Sequence, residues 1–152
     1  MEKTIIFVGL FDIDEIIKYC QGFGPSHTFL SSPKSSIRKG KENKYEMSGF
    51  RKVNPYTKIE YTIKLFWQMQ NPVDIKQGEK IKTICRGKLR ITMEIDKETD
   101  YVDKFENTKK GNLDKKVFEN SIEDQLSEMD ERMDEMICEW RDNVKNILNT
   151  II

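Results

Sequence analysis

An uninterrupted alternation over residues 59–69 sets the strongest limit on what this chain can fold into. Ile59, Tyr61, Ile63, Leu65, Trp67 and Met69 are apolar, and Glu60, Thr62, Lys64 and Gln68 fill four of the five places between them. Successive side chains of a strand point to opposite faces, so the pattern predicts a strand with one dry and one wet face. Only Phe66 breaks the polar side. Asn54-Pro55 and Asn71-Pro72 bracket the run as turn dipeptides. Downstream, Ile81, Thr83 and Cys85 alternate with Lys80, Lys82 and Arg86. Gly87 marks a bulge or bend, after which Leu89, Ile91, Met93 and Ile95 alternate with Lys88, Arg90, Thr92 and Glu94. Tyr45 to Phe50 fits a preceding strand, and a weaker one runs through Tyr101 and Phe105. Half-apolar strands joined by short turns describe an antiparallel sheet.

The period changes over the last forty residues. Phe118, Ile122, Leu126, Met129, Met133, Met136, Trp140, Val144, Ile147 and Ile151 recur at spacings of three and four, with neither Gly nor Pro after Asn112. This predicts a long amphipathic helix over 113–152. Unbroken, it would be about 60 Å long, against a body about 35 Å across for a chain of this size. The helix must bend or leave the body, and the seam slips at Trp140–Val144, where a bend or a change of partner is expected.

The chain opens with Thr4 to Val8, a short apolar run ending at Gly9 that reads as a strand buried on both faces. Asp12 and Glu15 form a helix-capping pair, Phe11 can pack on Ile16, and Ile13, Ile16, Ile17 and Cys20 share a face. Gly22, Gly24 and Pro25 end that helix. Residues 25–44 lose periodicity and read as an exposed loop, basic in its second half. The expected organisation is a single domain over 1–152: strand and short helix at 4–22, basic loop at 25–44, sheet at 45–107 and helix at 113–152. The fold class is α+β, a curved antiparallel sheet packed on the long C-terminal helix, with one short N-terminal helix.

From the Thr4–Val8 strand to the Phe118–Ile152 helix, that element order resembles the helix-grip arrangement of START and Bet v 1-like proteins. The resemblance implies a curved sheet wrapped around the terminal helix, with a site for lipids or other apolar ligands between them.

Charge and reactive residues exclude several classes. Lys and Arg (26) balance Asp and Glu (26), so no global field favours nucleic acid, which is therefore not the expected partner. The balance is uneven: residues 113–152 hold eleven acidic and five basic groups, leaving fifteen and twenty-one for the rest. No run of eighteen apolar residues predicts a membrane span, and no leader pattern opens the chain, so a soluble cytoplasmic protein is expected. Cys20, Cys85 and Cys138 are far apart and odd in number, which reads as free thiols. His27 is the only histidine; no metal site, cofactor or catalytic residue is assigned, and the reading leans away from an enzyme.

The expected function is non-catalytic binding of a hydrophobic small molecule or lipid between sheet and C-terminal helix, lined by Tyr61, Ile63, Leu65, Trp67, Leu89, Met93, Met129, Met133 and Trp140. Lys34, Arg38, Lys39, Lys41 and Lys44 are the expected contacts for an anionic partner. The alternative is an interaction protein whose C-terminal helix dimerises as a coiled coil or docks on a partner, since spacings from Ile122 to Trp140 follow a heptad seam.

Overall fold

The computed structural model describes residues 1–27, 29–39, 42–77, 80–99 and 107–149, with 31–39, 42, 69–77 and 80–85 described by backbone alone. The elements are β1 (Glu2–Phe11), α1 (Ile13–Ser26), β2 (Leu30–Lys39), β3 (Glu42–Lys52), β4 (Thr57–Gln77), β5 (Lys80–Thr99), α2 (Lys109–Ser121) and α3 (Glu123–Asn149). The strands form one antiparallel sheet in the order β1-β5-β4-β3-β2. It is an α+β fold: a curved sheet packed against the long C-terminal helix, with a short N-terminal helix beside it.

The period-two reading of the middle strands holds in detail. Tyr45 and Met47 on β3, residues 59–67 of β4 and 89–95 of β5 bury their odd-numbered side chains, while the even-numbered ones face outward. Gly49 belongs to the buried set of β3, where the Tyr61 ring lies so close that an added β carbon would come 2.5 Å from its Cε1. Asn54 closes the β3–β4 turn, its Oδ1 accepting from the backbone N–H groups of Tyr56 and Thr57 at 2.8 and 2.7 Å. Asn71-Pro72 does not end β4, which runs on to Gln77. The register shifts between Gln70 and Val73 instead, which absorbs the proline without a ladder bond, whereas Gly87 pairs without interruption. The weak strand expected through Tyr101 and Phe105 lies outside the described residues.

Four expectations are corrected. Residues 25–44 are not one exposed loop: Leu30–Lys39 pairs along its length with β3 as an edge strand, irregular only between Pro33 and Ser35. Its sequence lacks alternation, and its strand character is visible in the backbone pairing with β3. β1 is not buried on both faces. Among the described residues it pairs with β5 alone, and its even residues Ile6, Val8 and Leu10 are 73%, 68% and 49% exposed. Helix α1 starts as read, with Asp12 Oδ1 accepting from Glu15 N, but it continues past Gly22 and Gly24 to Ser26. Pro25 falls in the last turn, where Ser26 Oγ donates to the Phe23 carbonyl and buried Phe23 packs edge-on to Tyr61.

The C-terminal helix breaks at Ile122 rather than at Trp140–Val144. There Ile122 N–H donates to the Glu119 carbonyl in a tightened turn, Ser121 Oγ donates to the Phe118 carbonyl, and the Ile122 carbonyl accepts the first bond of α3 from Leu126. The break leaves α3 about 40 Å long. Buried Met129, Met133, Met136, Ile137, Trp140, Val144 and Leu148 join the same core as the sheet. The heptad stripe proposed for a coiled coil is thus the stripe that α3 buries within its own chain. Ile147 packs at the edge of that core, and Ile151 and Ile152 lie outside the described residues. Lys97 and Asp130, 2.8 Å apart, pin the start of α3 to the end of β5.

Candidate functional site

The contact between sheet and α3 is built from alternate residues of the strands and one helix stripe. Tyr61, Ile63, Leu65 and Trp67 from β4, Leu89 and Met93 from β5, and Met129, Met133 and Trp140 from α3 are all buried in one cluster. The sheet–helix packing brings together every residue expected to line an apolar site. Met47 and Met136 join them, so five methionines share an interior whose flexible thioethers repack at small cost.

This interior contains polar groups left without partners. The indole Nε1 of Trp67 and the amide Nδ2 of Asn43 are both buried and have no hydrogen-bond partner among the described residues. They are cross-strand neighbours on β4 and β3, both on the inner face, because Asn43 occupies the same odd register as Tyr45 and Met47. Two donors on adjacent strands therefore face one apolar interior with no acceptor, each at a cost of about 1–3 kcal/mol relative to a satisfied group. Asn43 was invisible to the search for apolar lining. Its signal in the sequence is a polar residue continuing the inner alternation of β3. Thr57 Oγ1 on β4 is a further buried polar atom without a partner among the described residues, ten residues from Trp67 and across from Thr99, while the Trp140 indole N–H has only the Cys20 thiol beside it.

Trp140 lies against Cys20 on α1. Burial pushes the Cys20 thiol up to about 12, an effect the indole N–H of Trp140 only partly offsets. The unfolded chain ionises this thiol near pH 9, so the stabilisation is intact below pH 9 and is lost as pH rises towards 12. Chemical denaturation at pH 8 and at pH 10.5 should show lower stability at the higher pH, and Cys20→Ala should reduce that difference. A pH dependence unchanged by Cys20→Ala would show that the thiol is not the group involved.

Polar contacts close α1 over the core. Asn143 Nδ2 donates to Tyr19 Oη at 3.0 Å, Gln21 Nε2 donates to Tyr45 Oη at 3.0 Å, and His27 Nε2 stands 3.6 Å from a Glu139 carboxylate oxygen. Tyr19 has its hydroxyl pKa raised, chiefly by burial. A surface groove of about 520 Å³ runs between α1 and α3, past Tyr19, Gly22, Phe23 and Asn143.

The outer face of the sheet carries the basic residues in a different set from that expected. Lys44 is exposed there, directly across from Phe66, and Phe66 is across from Arg90. With Lys64 these line a shallow hollow of about 480 Å³ that also takes in Glu2 and Glu94. Lys34, Arg38 and Lys39 belong to β2, whose side chains lie outside the described residues, as does Lys41. Lys64 and Arg90 have no signal of this in the sequence, because only cross-strand register brings them beside Lys44. Among the described residues no three His, Cys, Asp or Glu side chains cluster as a metal site, and no helix is long and apolar enough to cross a membrane. No protein-family model, no curated protein and no solved structure matches this chain.

Proposed function

We propose that the protein is a non-catalytic binder of a small apolar molecule that carries an acceptor oxygen, a carboxylate or a carbonyl. The ligand enters between the sheet and α3, parts the methionine-rich lining, and receives hydrogen bonds from Trp67 Nε1 and Asn43 Nδ2. The observation that carries this reading is the pair of buried donors without acceptors, adjacent on one face of the sheet. Buried polar groups in native proteins are nearly always satisfied, so a neighbouring pair left open marks a place where an acceptor belongs. The surrounding residues supply the apolar surface that holds the remainder of such a ligand.

A fluorescent fatty-acid probe tests this. It should bind saturably and be displaced by unlabelled medium-chain carboxylic acids, with the matching alkane displacing it far less well. Trp67→Phe keeps an aromatic ring, though a smaller one, and removes the donor. It should weaken the carboxylate by roughly ten-fold, the value of one charge-assisted hydrogen bond, and leave alkane competition unchanged. A chain that does not take up the probe, or that ranks acid and alkane alike, contradicts the reading.

A further inference from the structure

The two edges of the sheet are protected very differently. The backbone groups along the outer side of an edge strand are an open template for another strand, and natural sheets block them with proline, lysine and bulges. β2 has Pro33, Lys34, Arg38 and Lys39 along its length and a register irregularity between Pro33 and Ser35. β1 has ten residues and no charge from Thr4 to Phe11, and among the described residues no strand pairs with its outer side. Ile6, Val8 and Leu10 stand in a row along it, more exposed than most large apolar side chains of the chain.

We infer that β1 is a dimer interface, pairing edge to edge and antiparallel with β1 of a second copy of this chain. Placing Ile6 on the two-fold axis uses nearly the whole strand. It sets Ile6 against itself, Val8 against Thr4 of the second copy, and Leu10 against the stem of its Glu2. The same rotation gives charge complementarity. Glu2 and Glu94 are paired at one end of the outer face, and Leu10 and Arg86 at the other. An antiparallel two-fold lays the acidic row of one copy end to end with the basic row of the other. The cations of the two β5 strands stay three strand spacings apart, about 14 Å, beyond the screening length of about 8 Å at physiological salt. The occupant is a second copy because this row is self-complementary and carries no central charge to repel itself.

Sedimentation equilibrium on the full chain across the micromolar range should give twice the 18.0 kDa monomer mass. Ile6→Lys, at a site 73% exposed in the monomer, should keep the circular-dichroism melt of a folded protein while raising the dissociation constant roughly ten-fold or more. Ile6→Cys should form a covalent dimer on mild oxidation, since residues opposed in an antiparallel pair have Cα atoms about 4.5–5.5 Å apart, within disulfide reach. Should Ile6→Lys not fold, the cross-link alone decides. A wild-type chain that stays monomeric overturns the inference. So does a dimer that survives Ile6→Lys and does not cross-link through Ile6→Cys, which places the contact elsewhere, α3 included.

Discussion

Trp140→Ala should lower the stability of the fold by about 3–5 kcal/mol, as truncation of a buried aromatic does. Trp140 is fully buried near the middle of the α3 stripe, between the sheet and Cys20 of α1. Removing the indole takes apolar area from the sheet–helix contact and leaves a cavity that the flanking Met136 and Val144, themselves buried, can only partly fill. Urea unfolding of the two proteins side by side gives the difference directly, with Lys145→Ala as a control at an exposed position of the same helix. That control should change stability by under about 0.5 kcal/mol. A loss at Trp140 no larger than that at Lys145 would mean that α3 does not complete the core. A loss of several kcal/mol is a large part of the total for a domain of this size, so the variant should be partly unfolded at physiological temperature.

The second large effect is a contrast within β4. Ile63→Ala should cost about 2–4 kcal/mol, whereas Thr62→Ala, one residue away on the outer face, should cost under about 0.5 kcal/mol. Ile63 is fully buried between Met47 and Met93 in the cross-strand row, while Thr62 lies between Ser48 and Glu94. Adjacent residues with costs several-fold apart are the energetic signature of a strand with one dry face. Thermal or urea melts of both variants measure it, and equal losses would contradict the register.

Where period and burial coincide, the fold was legible in the residues. The odd-numbered side chains of β4 and β5 and the stripe from Met129 to Leu148 each repeat with the period of their element and face one core, so local pattern and global packing agree. What stayed hidden depends on pairing between distant segments. Leu30–Lys39 becomes a strand because β3 offers it a ladder, despite Pro33 and a Ser-rich composition. The exposed row on β1 follows from the core lying on one face of the sheet, which no property of Thr4–Val8 encodes. The break at Ile122 uses no glycine or proline; a side-chain hydroxyl and a tightened turn suffice.

The candidate site divides the same way. Its apolar lining could be read from periodicity, since each of those residues sits on the inner face of its element. Asn43 could not, because a buried amide is recognised only once Trp67 is known to be its cross-strand neighbour. The outer basic cluster of Lys44, Lys64 and Arg90 likewise assembles from three strands through register. This also explains how a chain of zero net charge has a local field: the acidic residues are concentrated after 112 and the basic ones before it.

The most direct measurement is the indole N–H resonance of Trp67 during titration with a medium-chain carboxylic acid. Trp67→Phe assigns that resonance, since the chain has two indole signals, from Trp67 and Trp140. The Trp67 donor has no acceptor among the described residues, so on saturation its resonance should move downfield as a charge-assisted hydrogen bond forms. The shift should be smaller with the matching alkane and should follow the same saturation curve as probe displacement. A Trp67 resonance that stays in place while the acid binds would put the ligand elsewhere and contradict the account.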